Sequence, residues 1–206
     1  MTALVFDAVK HEYRLEGRRL PHVTQVTGYL QDFYGIPEKI LERKRDLGTA
    51  LHLVTQLYDE DDLDETSVPE VVGPYFEAYR KFRTDTGFAP LAIEARVVSR
   101  TYGYAGTLDR VGRFAKLKRV KPHEDCTVDL KATYTLAPAV GPQTALYTQA
   151  WNEQHGAKVK RRFALQLKPD ATYRLHECTD AYDLSVALAA LSLINWKARH
   201  TEGASH

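Results

Sequence analysis

A strand-like segment carries an acid and a lysine two positions apart. Residues 126–132 read Cys-Thr-Val-Asp-Leu-Lys-Ala, in which apolar residues alternate with Thr127, Asp129 and Lys131. Because successive side chains of a strand point to opposite faces, this pattern predicts Asp129 and Lys131 side by side on the face away from the core. A carboxylate can hold a divalent cation, and an adjacent ammonium group can steady a water molecule or developing negative charge. Alone, an Asp-x-Lys pair on a strand is more often a solvated face, so the neighbouring strands decide between these interpretations.

Two further acids lie on the two predicted strands that come before this one. Asp109 lies in a Gly-Thr-Leu-Asp-Arg segment, and a hairpin whose loop is centred near Arg119 places Asp109 directly opposite Asp129. Carboxylates that face each other at about 5 Å repel, and a hard cation such as Mg²⁺ is one way to stabilise such a pair. A tight turn near 102–103 brings Glu94 opposite or diagonal to Asp109. The sequence therefore predicts a row of three acids across three strands, with a lysine at its end.

Three residues on predicted helices are candidates for the same site. His52 lies beside an apolar stripe, where a histidine is a boundary residue or, with acids nearby, a metal ligand. Gln143 and Tyr147 are four positions apart and so share one helix face. Tyr147 is equally compatible with a core aromatic, whereas a buried Gln143 amide would need several hydrogen-bond partners and is harder to explain as core.

The order of these motifs resembles the PD-(D/E)XK nuclease superfamily. In chain order they are His52 within Gly-Thr-Ala-Leu-His, Glu94, Asp109 within Gly-Thr-Leu-Asp-Arg, Asp-Leu-Lys at 129–131, and Gln-Thr-Ala-Leu-Tyr at 143–147. The resemblance covers about residues 48–151 and points to the RecB-like branch, which includes phage exonucleases and CRISPR adaptation nucleases. Leu108 stands where many members have proline, and the acid before the lysine is Asp rather than Glu.

The resemblance implies a metal centre that holds one or two Mg²⁺ or Mn²⁺ ions. His52 would ligate a metal from its helix, and Asp109 and Asp129 would be the main carboxylate ligands. The backbone carbonyl of Leu130 would add an oxygen ligand, and Lys131 would position or activate the attacking water.

Other residues are assigned supporting roles. Glu94 matches the acid that often precedes the metal-binding aspartate, and would be a ligand directly or through water. Gln143 and Tyr147 match the glutamine–tyrosine motif that lies near the metal site and the DNA backbone in the superfamily. Arg110 and Thr133, next to motif residues, are predicted to contact DNA or to support the site.

Composition limits the classes of protein to consider. The 206 residues are 44% hydrophobic, and 28 Lys and Arg against 27 Asp and Glu leave a net charge of +1. This is the composition of a folded protein, and it excludes a polybasic protein that binds nucleic acid by bulk attraction. An acidic linker at 59–65 offsets basic stretches at 110–121 and 158–162, which are predicted to flank the site. Solvated loops are an equally good interpretation of these charges.

Several features are expected to be missing. Cys126 and Cys178 cannot supply the four ligands used by cluster-bearing members of the superfamily, so we expect no iron–sulfur cluster. The sequence contains no Walker-type helicase motif. The N-terminus lacks a signal-peptide pattern, and the most apolar stretch, 186–194, is far below the about 20 residues of a membrane span. We therefore expect a cytoplasmic protein without a membrane partner.

Helical and strand-like segments alternate along the chain. A hairpin turn is predicted around Glu16 and Gly17, helices from Thr24, at 37–58, 69–86, 141–154 and 182–199, and strands at 91–99, 104–114, 126–132, 162–168 and 173–178. This order predicts an α/β (α+β) fold with a central mixed β-sheet flanked by helices and preceded by N-terminal helical elements. The resemblance implies that this core is restriction-endonuclease-like. We expect one domain over 1–206, with a hairpin and helical part to about 88, a catalytic core over about 89–180 and a C-terminal helix at 181–200.

Together these patterns predict a Mg²⁺- or Mn²⁺-dependent deoxyribonuclease. The resemblance implies an exonuclease in DNA-end processing, recombination or repair, and a phage origin for the protein. The alternatives are a catalytically silent nuclease fold that binds DNA or serves as a scaffold, and a structure-specific or RNA-directed nuclease. DNA is the expected partner, and a recombination or annealing protein and a second copy of the chain are compatible with this function.

Overall fold

A computed structural model describes residues 4–31 and 37–201. Within these ranges the strands are β1 (Leu4–Asp7), β2 (Glu12–Leu15), β3 (Arg18–Leu20), β4 (Phe88–Ser99), β5 (Tyr104–Phe114), β6 (Cys126–Ala132), β7 (Arg161–Leu167) and β8 (Tyr173–Glu177). The helices are α1 (Val23–Gly28), α2 (Glu38–Asp59), α3 (Gly73–Thr86), α4 (Val140–His155) and α5 (Asp183–Thr201).

The central sheet has the order β4-β5-β6-β7-β8. Its strands pair antiparallel except for β6 and β7, which are parallel. Parallel neighbours need a crossover connection, and α4 lies between them in the chain. The predicted central mixed sheet flanked by helices, preceded by N-terminal helical elements, is confirmed.

Helices cover both faces of this sheet. Helices α2 and α3 supply buried side chains, among them Leu51 and Phe76, to one apolar cluster with β6 and β7. Helices α1, α4 and α5 supply a second cluster, which includes Val26, Leu146 and Leu191, together with residues of β4 and β5. The result is the three-layer packing expected when amphipathic helices bury their apolar stripes against a sheet.

A second, three-stranded antiparallel sheet is formed by β1, β2 and β3. Its second turn is the predicted hairpin: Leu15 pairs with Arg18, and Glu16 and Gly17 both have positive φ, 55° and 79°. Positive φ at both central residues matches the right-handed twist of the strands in a two-residue hairpin, and glycine adopts it without steric cost. The sequence did not predict β1.

Helix boundaries agree with the sequence signals except at the start of α3. A helix was expected from Pro69, but α3 begins at Gly73 and has a proline in its first turn. Its end is as predicted, because Gly87 adopts the left-handed conformation that terminates helices. Among the described residues, none of the helices has the length and apolarity that a membrane crossing requires.

Candidate active site

Strand register brings three acids next to one another. Ile93 pairs with Arg110 and Ala95 with Leu108, so Glu94 lies across from Asp109. The β5–β6 ladder ends at the pair of Arg110 with Val128. One step further in this register Asp109 faces Asp129, as the hairpin argument predicts.

Asp109 lies where this ladder ends. Its side chain is buried, with 6% of the residue exposed, and its Oδ2 accepts a hydrogen bond of 2.6 Å from the backbone N–H of Leu130. A buried backbone donor must be satisfied, and here a carboxylate satisfies it. This contact fixes one oxygen of Asp109, while Oδ1 lies 3.8 Å from Nδ1 of His52.

His52 reaches the acids from α2. Its Nδ1 lies 2.9 Å from Oε1 of Glu94. His52, Glu94 and Asp109 each offer a ligand atom, and these atoms all lie within 4.8 Å of one another. Burial alone lowers the pKa of His52, but the negative charges of Asp109 and Glu94 outweigh burial and raise it to about 9. The imidazole therefore lies in a strongly negative environment, as expected of a cation site.

Glu94 is held in an unusual backbone conformation. Its φ is 45°, in the left-handed region that L residues enter at a cost of about 1–2 kcal/mol. Such outliers persist only where surrounding contacts over-determine them, and they concentrate at functional sites. Here the carboxylate is bound by His52 from α2 and by Arg110 from β5.

Asp129 is buried with an ion pair on one oxygen only. Only 3% of the residue is exposed, and Lys131 Nζ lies 2.7 Å from Oδ2. Among the described residues, Oδ1 has no polar partner. Burial raises the pKa of Asp129, the charge of Lys131 lowers it, and the charge of Asp109 raises it. Leaving a buried carboxylate oxygen without a partner is costly, so Oδ1 fits a site for a divalent cation.

Lys131 is a partly exposed positive charge beside these acids. Its side chain is 27% exposed. Burial lowers its pKa, but the charges of Asp129 and Asp109 more than compensate and raise it above its ordinary value. Lys131 is therefore an ammonium group at neutral pH, able to donate hydrogen bonds.

Arg110 supports the site from inside the protein. Its side chain has no exposed surface and donates to Asp59 Oδ2 at 2.7 Å, Thr55 Oγ1 at 3.1 Å and Glu94 Oε1 at 2.9 Å. It also donates to the backbone carbonyl of Asp109 at 2.7 Å. The predicted contact of Arg110 with DNA is wrong, because the guanidinium is enclosed by α2 and β4. Its contacts are those of a supporting residue.

Asp59 is a residue that the sequence analysis missed. It was assigned to the acidic linker, but its side chain has no exposed surface. It accepts hydrogen bonds from Arg110, from Arg83 and, at 2.5 Å, from the Tyr79 hydroxyl. A signal was present: the spacing of His52, Thr55 and Asp59, three and then four positions, places them on one helix face.

Gln143 and Tyr147 lie together on α4. Both are buried, at 7% and 5% exposure. Burial raises the pKa of Tyr147 well above 10, with contributions from the charges of Asp109 and Asp129, while a hydrogen bond with Gln143 opposes this rise. The charges of both acids therefore act on the Tyr147 hydroxyl.

Helix α4 approaches β5 closely beside these residues. A Cβ at Gly106 would lie 2.8 Å from Tyr147 Cε1, so only glycine leaves room for this ring. Sequence analysis left Tyr147 open between a core and a site residue, and the structure gives it both environments.

Thr133 and Leu130 contribute through the backbone in the structure. The Thr133 hydroxyl donates to the carbonyl of Thr135 at 2.9 Å, and the Thr133 carbonyl accepts from Gln166 Nε2 at 3.1 Å. Thr133 thus stabilises the chain just after β6. Leu130 is buried, and its N–H holds Asp109.

Most of the two basic stretches lies away from these acids. Arg110, the first residue of the 110–121 stretch, contacts Glu94. The other residues lie toward the start of β6, where Cys126 pairs with both Gly112 and Arg161, whereas Lys131 lies near the end of that strand. Five residues separate Cys126 from Lys131, a distance of about 17 Å along a strand. Apart from Arg110, the two stretches therefore do not adjoin the acids, contrary to the prediction.

Comparisons with known proteins give a fold but no family. No family model and no curated protein sequence matches the chain. Among solved structures, a putative exonuclease from Eubacterium rectale is similar with a TM-score of 0.50 and 14% identity, over 78% of this chain and 69% of that one. The chain therefore shares the fold of that protein.

Lower-scoring similarity extends to a second exonuclease. An alkaline exonuclease from Laribacter hongkongensis aligns with a TM-score of 0.45 and 11% identity, over 89% of this chain and 92% of its own. The same exonuclease in complex with dAMP aligns with a TM-score of 0.45 and 10% identity, over 90% and 93%.

Proposed function

We propose that this protein is a Mg²⁺- or Mn²⁺-dependent nuclease of the PD-(D/E)XK superfamily, on its RecB-like branch, that acts on DNA ends. The observation that carries the proposal is the convergence of His52, Glu94 and Asp109 beside the ion pair of Asp129 and Lys131. The fold shared with a putative exonuclease supports the choice of an exonuclease. Processing of DNA ends, in recombination or repair, is the role that this choice implies.

The donor set fits a hard divalent cation. Carboxylate oxygens are the ligands that Mg²⁺ and Mn²⁺ prefer, and Asp129 Oδ1 has no polar partner among the described residues. Asp109, Asp129 and His52 would hold the ion or ions, with Glu94 as a further ligand and the Leu130 carbonyl as a backbone donor. A bound ion would polarise the scissile phosphate and lower the pKa of the attacking water.

Lys131 would donate hydrogen bonds during the reaction. Because nearby carboxylates keep its side chain charged, it is suited to orient the water or to stabilise negative charge that develops on the phosphate. Its partial exposure gives a substrate access to the ammonium group.

The remaining residues would fix this geometry. Arg110 positions Glu94 from the buried side, and Glu94 in turn orients the His52 imidazole. Gln143 and Tyr147 are buried on α4, and the charges of Asp109 and Asp129 contribute to the raised pKa of Tyr147, so these two residues would support the site from within the protein.

Cleavage of end-labelled DNA tests this function. Wild-type protein with Mg²⁺ or Mn²⁺ should degrade the DNA, and EDTA should stop it. Lys131→Ala should reduce the rate by about 10²–10⁴-fold, the usual contribution of a group that assists proton or charge movement. Lys118→Ala, an exposed lysine in the β5–β6 loop, is the matched control and should cleave like wild type. Equal rates for wild type and Lys131→Ala would overturn the mechanism.

A panel of substrates separates the alternatives. Digestion of linear duplex or single strands, with closed circles left intact, identifies an exonuclease. Cleavage of circles, or of RNA in preference to DNA, identifies the structure-specific or RNA-directed alternative. Salt-sensitive DNA binding without cleavage of any of these substrates identifies a catalytically silent scaffold.

A further inference from the structure

A groove of about 920 Å³ lies away from the acids, at the far end of the β4–β5 hairpin. Its walls are the β2–β3 hairpin and the residues after it (15–21), the β4–β5 turn (99–103), and the second half of α5 (192–199). We call it the arginine groove, after the residues that line it.

The arginine groove is strongly positive in a chain that is nearly neutral. Four arginines and one glutamate are among its lining residues: Arg18, Arg19, Arg100, Arg199 and Glu16. Their net charge of +3 exceeds the +1 of the whole chain. A concave surface lined by one sign of charge concentrates ligands of the opposite sign, so the groove favours a polyanion.

Two of these arginines have their charge available. Among the residues that the structure describes, no carboxylate lies within 4.0 Å of the Arg18 or Arg199 guanidinium. The Arg19 guanidinium forms an ion pair of 3.4 Å with the Glu12 carboxylate, and the Arg19 side chain is 62% exposed. Exposed arginines without acidic partners bind phosphate groups with two parallel hydrogen bonds.

The walls of the groove are held in place before any ligand binds. Glu153 of α4 accepts hydrogen bonds from the Ser99 hydroxyl at 2.7 Å and from the Thr101 N–H at 2.8 Å, which fixes the β4–β5 turn. The N–H of Ala105 donates to the Pro21 carbonyl at 3.0 Å, which joins the N-terminal hairpin to β5. A prearranged groove spends less free energy on ordering when it binds.

Strand β5 connects the arginine groove to the acidic site. Gly103 lines the groove directly before the start of β5, and Asp109 follows it by six residues along the chain. This separation corresponds to about 20 Å at about 3.3 Å per residue. Phosphates of one DNA strand follow each other every 3.4 Å along a duplex axis, so about six nucleotides span this distance. Tyr102, which is 39% exposed, lies in the groove and offers an aromatic surface to an unpaired base.

We propose that the arginine groove binds the phosphate backbone of the nucleic acid about six nucleotides from the bond that the acidic site cleaves. This inference rests on the proposed nuclease function. It assigns the positive charge that holds the substrate to residues outside the two basic stretches of the sequence.

Fluorescence anisotropy with a labelled 20-nucleotide DNA measures how tightly the protein binds DNA. EDTA is present so that no metal-dependent cleavage occurs. The double variant Arg18→Gln/Arg199→Gln should bind at least about tenfold more weakly than wild type at 0.1 M salt, and the slope of log Kd against log salt should fall by about 2. Lys118→Gln/Lys121→Gln removes the same charge from exposed positions on the β5–β6 loop and should bind like wild type. Single-stranded and duplex probes, run in parallel, show which form the groove prefers.

A gain of charge tests the same groove without removing any of its arginines. Ser192 and Ser185 are both exposed on α5, seven positions apart, and both donate to a backbone carbonyl of the preceding turn. Ser192 lines the groove and Ser185 does not. Ser192→Arg should tighten binding and steepen the salt slope by about 1, whereas Ser185→Arg should change neither.

The outcomes distinguish this inference from the proposed function. If wild type cleaves DNA but the double arginine variant binds like wild type, or the lysine control weakens equally, the groove assignment is overturned and the nuclease assignment stands. If the arginine variant loses binding but wild type cleaves no substrate, the groove stands as a nucleic-acid site and the nuclease assignment fails. Equal effects of Ser192→Arg and Ser185→Arg would also overturn the groove, even if the double variant does not fold.

Discussion

Arg110 donates a hydrogen bond of 2.9 Å to Glu94 from a position with no exposed surface. The same carboxylate oxygen of Glu94 lies 2.9 Å from Nδ1 of His52. A buried cation on β5 therefore sets the position of an acid on β4, and this acid contacts the imidazole of α2. Asp59 holds Arg110 from the other side, so the geometry of the candidate metal site depends on an ion pair that no substrate touches.

Removal of the Arg110 guanidinium should destabilise the protein strongly. Arg110→Leu removes the buried cation shared by Asp59 and Glu94 and leaves Asp59 with Arg83 and Tyr79, and breaking a buried ion pair costs about 3–5 kcal/mol. Urea denaturation measures the loss. Arg113→Leu is the control on the same strand: its side chain is 45% exposed and pairs with Asp125, so the loss there should stay below about 1 kcal/mol. Similar losses for the two variants would contradict the supporting role of Arg110.

Divalent ions should raise the melting temperature of the protein through Asp109. At a metal concentration of about 100 times Kd, binding stabilises the folded state by about 2.7 kcal/mol, which is about 5–10 °C for a chain of this size. Asp109→Asn keeps an acceptor for the Leu130 N–H but removes the charge, so Mg²⁺ or Mn²⁺ should no longer raise its melting temperature. Asp62→Asn, at an exposed position, should respond like wild type. A full shift in Asp109→Asn would exclude this carboxylate as a ligand.

Metal-free protein should lose stability between about pH 6.5 and 9 because of His52. The pKa of His52 is about 9 in the folded protein, above the value of about 6.5 expected in the unfolded chain. A raised pKa means that folding favours the protonated form, so this stabilisation is complete below pH 6.5 and disappears as the pH passes 9. We expect a fall in the free energy of unfolding of about 1–3 kcal/mol, reduced from the full linkage value because part of the side chain is solvated.

Urea denaturation in EDTA at several pH values measures this fall. His52→Gln should remove it, whereas His123→Gln, an exposed histidine, should keep it. A fall of the same size in His52→Gln would show that other groups cause the pH dependence.

Two glycine substitutions should have opposite effects on stability. In Gly106→Ala the new Cβ would lie 2.8 Å from Tyr147 Cε1 and 3.0 Å from Val23 Cγ2, and overpacking of this kind costs about 1–3 kcal/mol. Gly48→Ala, within α2, meets no atom within 4 Å and should stabilise the protein by about 0.5–1 kcal/mol, since alanine favours the helix. Thermal melting of both variants checks the signs. A neutral Gly106→Ala would mean that α4 can move away from β5.

Local patterns in the sequence determine much of this fold. The alternation of apolar and polar residues over 126–132 predicts β6 with its correct bounds, because successive side chains of a strand point to opposite faces of the sheet. Gly87 predicts the end of α3, since its missing Cβ permits the left-handed cap. Even the register of Asp109 with Asp129 follows from the sequence, because a hairpin pairs residues at equal distances from the centre of its loop.

Only the tertiary structure decides which charges are buried, and what they contact. Asp59 belongs to an acidic run in the sequence, yet packing of α2 against β5 encloses it with Arg110. Glu94, rather than Asp129, is grouped with His52 and Asp109, because Asp129 pairs with its own strand neighbour Lys131.

The grouping of the surface charges in the arginine groove is likewise decided only by the tertiary structure. Arg18 and Arg199 lie near opposite ends of the chain and meet only because the N-terminal sheet and α5 pack at one end of the β4–β5 hairpin. The physical reason is the separation in sequence over which each interaction acts. Periodicity, turns and caps arise between residues a few positions apart, whereas desolvation and charge–charge contact depend on elements that are distant in the chain and adjacent only after folding.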